Sequence, residues 1–221
     1  MNMLQHSVGR KILMAITGQG MVLFAIIHVL GNSSIFIGPN GINAYAEHLH
    51  SLGPLVWIFR LAMLSLLVIH VIFGIQTTLE NNAAKPQGYA VKKNLRTGFA
   101  AETMIWTGLV LLAFLVYHLL HFTARVTPGV VQGFDPLGRF DVFGMVVASF
   151  QKGGIVFIYV AAMVALFLHL SHGIQSFFQT MGWNNDKSLP VINTAGKVVS
   201  FILLAGYVLI PVTIIAGILT K

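Results

Sequence analysis

The fold is decided by the stretch Phe167-Leu168-His169-Leu170-Ser171-His172-Gly173-Ile174, which lies deep within an apolar run from Gly154 to about Met181. The run follows Lys152, contains no charged residue and is long enough to cross a bilayer as a helix. A histidine inside a membrane helix is costly unless it has a partner or a task. Three other apolar runs each carry a histidine well inside, namely His28, His70 and His118.

The composition indicates an integral membrane protein. The chain has 221 residues, of which 56% are hydrophobic and only 9% are charged, whereas a soluble domain carries about 25% charged residues. The lack of cysteine excludes disulfides, thiolate catalysis, iron–sulfur ligation and covalent c-type haem attachment. The net charge of +7 lies in loops beside apolar runs, where it indicates topology rather than nucleic-acid binding.

The apolar runs predict an all-α bundle of five transmembrane helices, forming one domain over residues 1–221. The spans are expected at residues 12–37, 55–79, 99–122, 154–181 and 194–219, with a short interfacial helix between 134 and 150. With the N-terminus inside, eight Lys and Arg residues lie on the inner face and five on the outer, which predicts a cytoplasmic N-terminus. We expect no internal repeat, no Rossmann fingerprint and no P-loop.

The four histidines fall into two pairs by depth. A helical rise of about 1.5 Å per residue places His70 about 15 Å and His169 about 18 Å from the inner face. The same rise places His28 at about 25 Å and His118 at about 30 Å. Each pair joins two helices at similar height, as bis-imidazole ligation of a haem iron requires. The pattern therefore predicts two haems, with these histidines as the iron ligands.

Other residues compete with this set or surround it. For any one histidine, an interhelical hydrogen bond is an equally good interpretation. His121 and His172 follow His118 and His169 by three residues and share their faces, so they are rival ligands or donors to propionates. Glycines one turn from a ligand could admit a flat macrocycle, although glycine also serves helix packing; they are Gly31, Gly74 and Gly173. Cationic candidates for the propionates are Arg60 at the outer end and Arg10, Lys11 and Arg96 at the inner end.

These motifs resemble a known family. The most specific pieces are His28 with Val29-Leu30-Gly31-Asn32, His70 with Val71-Ile72-Phe73-Gly74-Ile75, Val116-Tyr117-His118, and His169-Leu170-Ser171-His172-Gly173-Ile174-Gln175-Ser176-Phe177. They resemble the di-haem cytochrome b membrane anchor of succinate:quinone oxidoreductases (complex II), the five-helix single-subunit type also found in quinol:fumarate reductases. The likeness covers most of the chain.

The resemblance implies which histidines bind iron. The ligands of the family fall on His70 and His169 for the inner haem and on His28 and His118 for the outer haem. The family places its fourth-span ligand four residues before a glycine, which selects His169 over His172. Some fumarate reductases of this type carry an acid two residues before that ligand, linked to transmembrane proton movement. This chain has Phe167 there, which argues against that proton path.

The resemblance also implies the function. A cytoplasmic flavoprotein subunit oxidises succinate, an iron–sulfur subunit carries the electrons to the anchor, and two b-type haems relay them to menaquinone or ubiquinone, or the flow reverses for fumarate reduction. The chain would be a subunit of a respiratory-chain complex that is also an enzyme of the tricarboxylic acid cycle. It would cross the bacterial cytoplasmic membrane several times, in contact with the membrane lipids. It would have no succinate-oxidising activity alone.

The quinone needs a proton donor or acceptor beside its carbonyls. Glu47, His48 and His50 lie in the outer connection before span two and are the candidates. A solvated loop without ligand is an equally good interpretation for each of them. Glu80 and Glu102 at the inner face are the alternative, but ion pairing with the basic loop accounts for them.

Two rival functions stay open. One is another di-haem quinol-oxidising subunit such as that of nitrate reductase, in which two helices carry two ligands each. The spread of the histidines over four runs disfavours it. The other is a transporter or scaffold without haem, in which the histidines act as structural glue between helices.

Overall fold

The structure is a computed structural model that describes residues 6–84 and 98–220. It is 81% helical, and no strand occurs in these two segments. Its helices are α1 (Ser7–Asn32), α2 (Pro39–Ser51), α3 (Pro54–Ala83), α4 (Phe99–Glu102), α5 (Met104–His118), α6 (Val142–Phe150), α7 (Gly153–Thr180) and α8 (Ser188–Ile215). A 3₁₀ turn, Ser33–Ile37, extends α1, and a π-helical turn, Leu119–Thr123, extends α5.

Five helical segments are long and apolar enough to span a membrane, which confirms the predicted number. They are Ser7–Ile37, Pro54–Ala83, Met104–Thr123, Gly153–Thr180 and Ser188–Ile215. The predicted bounds agree within a few residues, except that the third span begins after a break at Thr103 and the fifth begins six residues earlier than expected. The chain is therefore a multi-pass membrane protein. The predicted basic loop with Lys85, Lys92, Lys93 and Arg96 lies outside the described residues.

The best-packed part of the bundle is formed by α1, α7 and α8. Apolar side chains from these helices are buried against one another at Val22, Val29, Leu170, Ile174 and Leu203. In contrast, α3 has no buried residue and packs mainly against α1. The span that carries His70 is thus held by side chains that remain partly exposed.

The end of the bundle distant from Ser7 is covered by α2 and α6. The sequence predicts a turn at 38–41 and a polar connection after it, but residues 39–51 form a helix. Gly38, with φ of 100°, makes the sharp turn, and Pro39 begins the helix, where its missing N–H costs nothing. The helix expected between 134 and 150 forms only over Val142–Phe150, and one side of it is buried in the protein: Phe143, Val147 and Phe150 are at most 4% exposed.

A polar network ties α2 to the segment before α6. Asn43 is 1% exposed. Its Nδ2 donates to the carboxylates of Asp135 and Asp141 at 3.2 and 3.3 Å, and its Oδ1 accepts from the Phe143 amide at 2.9 Å. Asp141 also accepts from the Gly144 amide and caps α6. These bonds satisfy polar groups that burial would otherwise leave unpaired.

Asp135 is the charged centre of this network. Arg139 binds its carboxylate through Nε and Nη2 at 2.8 and 2.7 Å, and the amides of Leu137 and Arg139 donate to it. Loss of water around the carboxylate raises its pKa, but these hydrogen bonds and that from Asn43 outweigh this and lower the pKa to about 2. The carboxylate is therefore ionised over the whole physiological range.

An ion pair joins α1 and α3 at the other end of the bundle. Arg10 donates to both carboxylate oxygens of Glu80 at 2.6 and 2.7 Å. This agrees with the expectation that Glu80 serves ion pairing. It also engages Arg10, one of the cations proposed above for a propionate.

Candidate functional site: two histidine pairs between the spans

The structure brings the four histidines of the spans, all partly buried, together as two pairs. The ring centres of His70 and His169 are 6.2 Å apart, and those of His28 and His118 are 6.0 Å apart. Four different spans supply the four residues, since they lie on α3, α7, α1 and α5 respectively. These are the same pairs that the depth estimate gives.

The separation within each pair matches that of two imidazoles bound to one iron. A first-row metal ion binds an imidazole nitrogen at about 2.0–2.1 Å, and that nitrogen lies about 1.1 Å from the ring centre. Two imidazoles on opposite sides of one ion therefore have centres about 6.3 Å apart. The observed 6.2 and 6.0 Å lie close to this value.

The hydrogen bonds of the His70–His169 pair leave one nitrogen of each ring free for iron. The Nδ1 of His70 lies 2.9 Å from the Met14 carbonyl, which can only accept, so this nitrogen carries the proton. The Thr107 hydroxyl lies 3.1 and 3.0 Å from the carbonyls of Thr103 and Met104, so it donates to one of them and accepts from the Nδ1 of His169 at 3.2 Å. In both rings, the lone pair is then on Nε2, as iron ligation requires.

Both rings of this pair lie against a glycine on a neighbouring helix. A Cβ atom at Gly18 of α1 would be 2.9 Å from Cε1 of His70, and one at Gly108 of α5 would be 3.2 Å from Cε1 of His169. Neither glycine was among the predicted site residues, nor were Thr107 and the Met14 carbonyl. Their sequence signal is the segment Met-x-x-Thr-Gly, which occurs at residues 14–18 and again at residues 104–108.

Tyr159 links the other pair to His121. Its hydroxyl lies 2.9 Å from Nδ1 of His121 and 3.3 Å from Nδ1 of His118. A single hydroxyl proton can be donated to only one of these nitrogens. We assign it to the shorter bond, so that His118 donates its Nδ1–H to the hydroxyl oxygen and keeps its Nε2 lone pair. His121, which is 1% exposed, contacts Tyr159, whereas the ring that faces His28 is that of His118.

The remaining histidines of the site differ in their contacts. The ring of His28 stacks on Phe24 with centres 5.2 Å apart, and it lies 6.1 Å from the ring of Tyr207. His172 is half-buried, one turn from His169 on the same helix. The structure pairs His169, not His172, with His70.

The three glycines predicted beside the ligands have different surroundings. A Cβ atom at Gly31 would overlap the side chain of Tyr45, so Gly31 allows α2 to pack against α1. A Cβ atom at Gly74 would make an ordinary contact with the Met14 sulfur at 3.8 Å, and one at Gly173 would meet no atom within 4 Å.

The three quinone candidates lie on one helix, α2, and all are exposed. His50 lines a cleft of about 480 Å³ together with Gly53, Pro54, Val56, Trp57 and Arg60. The Arg60 guanidinium lies 4.9 Å from the centre of the Trp57 ring. Glu47 precedes His50 by three residues on this helix.

The donor set suits haem better than a bare metal ion. In the described parts of the chain, no group of three or more His, Asp and Glu side chains converges as a bare ion would require. A haem iron needs only two axial ligands from the protein, because the macrocycle supplies the others. The residues present therefore fit two haems, each between two imidazoles.

Comparisons with family models, curated proteins and solved structures gave no match.

Proposed function

We propose that this chain is the di-haem cytochrome b anchor subunit of a succinate:quinone oxidoreductase or quinol:fumarate reductase. It would connect a cytoplasmic iron–sulfur subunit, itself bound to a flavoprotein, with quinone in the membrane. The proposal is supported chiefly by two pairs of imidazoles supplied by four different spans. Within the pairs, the ring centres are 6.2 and 6.0 Å apart. The resemblance of the histidine motifs to that family supports the choice of complex.

The chain itself would bind and orient the cofactors. His70 and His169 would hold one haem, and His28 and His118 the other. When bound, each haem would take up and release one electron at a time. The Met14 carbonyl and the Thr107 hydroxyl fix the rings of the first pair with Nε2 free. The apolar helices around the pairs exclude water, which favours neutral imidazoles over charged ones.

A spectrum of the purified chain tests the proposal. We expect two haem b per polypeptide and b-type bands in the reduced-minus-oxidised spectrum. Affinity purification from native membranes should also recover a flavoprotein and an iron–sulfur protein. Two haems without these partners would favour another quinol-oxidising subunit. A chain expressed with ample haem supply that shows no b-type bands would contradict both cytochrome functions.

The absence of bands would favour a transporter or scaffold. One observation is compatible with that function: the planes of the paired rings are inclined by 87° and 67°, and edge-to-face ring pairs pack at similar distances without any metal. In that case, alanine at any of the four histidines should lower stability without changing a spectrum.

The orientation of the chain is tested separately. We propose that Lys92 and Lys93 face the cytoplasm and contribute to the docking surface for the iron–sulfur subunit. Cysteines placed there should react with an impermeant thiol reagent only in inside-out vesicles. Labelling in right-side-out vesicles would reverse the proposed topology.

A further inference from the structure

The spans α1 and α5 share a short sequence pattern. Met14-Ala15-Ile16-Thr17-Gly18 of α1 corresponds to Met104-Ile105-Trp106-Thr107-Gly108 of α5. In both helices, a phenylalanine follows the glycine by six residues and a histidine follows that phenylalanine by four, which gives Phe24 with His28 and Phe114 with His118. The expectation that the chain has no internal repeat is therefore wrong for these two segments.

The two copies of the pattern make equivalent contacts. Each glycine faces the imidazole of the next long helix: Gly18 lies against His70 of α3, and Gly108 lies against His169 of α7. Each phenylalanine contacts the histidine four residues later, with ring centres 5.2 Å apart for Phe24 and His28 and 5.8 Å apart for Phe114 and His118. Helices α1 and α5 thus each carry one histidine of one pair and support one histidine of the other.

The hydrogen bonds of the two copies are similar but not identical. The hydroxyl of Thr17 donates within its own helix to the carbonyls of Leu13 and Met14 at 2.7 and 3.1 Å, and His70 donates to the same Met14 carbonyl. On α5 the Thr107 hydroxyl accepts from His169 at 3.2 Å, and the Met104 backbone also takes part in a hydrogen bond with this ring. Both arrangements place the proton on Nδ1, and the backbone of the methionine contributes in both copies, with a threonine hydroxyl as a further acceptor in the second.

We propose that the two Met-x-x-Thr-Gly segments are cradles that position His70 and His169 as ligands of the same haem, and that Gly18, Gly108 and Thr107 are positioning residues of that haem. The inference rests on the proposed function. The glycines let the Cε1–Nδ1 edge of each ring approach a neighbouring helix, where a fixed acceptor selects the tautomer with Nε2 free. An acceptor on Nδ1–H also makes the ligand more basic, which favours the oxidised iron and lowers the potential.

The glycine contact is tested by Gly18→Ala, with Gly20→Ala as its matched control. The added Cβ atom would lie 2.9 Å from the His70 ring in the first variant and 3.0 Å from Cδ1 of Leu66 in the second. The crowding is the same, but the leucine end can rotate away, whereas the ring cannot move without leaving its acceptor. We expect Gly18→Ala to shift the midpoint potential and the low-temperature EPR signal of one haem, and Gly20→Ala to leave both haems unchanged.

The hydroxyl is tested by Thr107→Val, with Ser200→Ala as its control. Both changes remove a buried hydroxyl that is bonded to its own helix, but of the two only the Thr107 hydroxyl lies within hydrogen-bond distance of a proposed ligand. We expect a higher midpoint potential for one haem in Thr107→Val and no change in Ser200→Ala. This variant also keeps the test decisive if Gly18→Ala does not assemble.

The outcomes separate this inference from the proposed function. If the unmodified chain binds no haem, the proposed function fails first. If the unmodified chain binds two haems and Thr107→Val leaves both potentials and EPR signals as they are in Ser200→Ala, the cradle is wrong and the di-haem function stands. A shift of the haem bound by the other histidine pair, identified with His118→Ala, would also overturn the cradle.

Discussion

The polar network around Asn43 gives a stability prediction that does not depend on any cofactor. In Asn43→Ala, the Phe143 amide loses its acceptor at 2.9 Å in a site where Asn43 is 1% exposed. A buried N–H without a partner costs about 1–3 kcal/mol. We therefore expect a loss of about 2 kcal/mol. For a chain of this size, a change of 1 kcal/mol corresponds to about 2–4 °C in Tm.

The matched control is Asn40→Ala on the same helix. Asn40 is exposed and accepts from Nη1 of Arg139 at 2.9 Å. Water can replace the lost bond there, so the expected cost is about 0.5 kcal/mol or less. Both variants are measured by thermal unfolding in detergent, together with limited proteolysis of residues 124–141. Equal Tm values for Asn43→Ala and Asn40→Ala would refute the conclusion that this network holds α2 onto α6.

Four further predictions concern the site and its surroundings. His169→Ala should reduce the haem content from two to one, whereas His172→Ala should retain both; the reverse result, by pyridine haemochrome assay, would exchange their roles. Tyr159→Phe should raise the midpoint potential of the haem that His28 and His118 would hold, as measured by redox titration. An unaltered potential would show that the Tyr159 hydroxyl does not accept a hydrogen bond from a ligand. Glu47→Gln should lower quinone-linked succinate turnover at least tenfold, about 1.4 kcal/mol, while dye-linked turnover persists; full quinone activity would exclude Glu47. Because the pKa of Asp135 is lowered from 3.8 to about 2, its contribution to stability is complete above about pH 4 and is lost as the pH falls towards 2, so the difference in Tm between the wild type and Asp135→Asn should shrink over that interval.

The spans and the histidine pairs are the features that the sequence predicts well. Long apolar runs can satisfy their backbone in lipid only as helices, so composition alone determines five spans. Helical rise is regular, so the residue number within a span gives its depth. For that reason the sequence alone pairs His70 with His169 and His28 with His118.

The groups that orient the rings could not be predicted in the same way. Thr107 meets His169 and Tyr159 meets His118 across 62 and 41 residues of sequence, and which faces of two helices meet depends on their rotation about their own axes. Apolar patterning is weak in these spans because most sides of each helix are apolar. The Met14 acceptor is a backbone carbonyl, which every residue possesses, so only its place in the recurring Met-x-x-Thr-Gly segment marks it.

The helix α2 was missed for a different reason. A Gly-Pro-Asn-Gly sequence is typical of a turn, and the turn is present at Gly38. Pro39 is equally suited to the first position of a helix, and the polar residues after it face both water and the buried network. The partners of Asn43 lie 92 to 100 residues later in the chain, beyond the reach of local patterns.

The lack of any buried residue in α3 has a consequence for the life of the protein in the cell. Since α3 buries no side chain fully, polar contacts with α1 contribute to its attachment, namely the Arg10–Glu80 ion pair and the bond from His70 to the Met14 carbonyl. In the di-haem function proposed above, a haem held by His70 and His169 would add an attachment to α7. We therefore expect the supply of haem to affect how long the newly inserted chain survives membrane proteases.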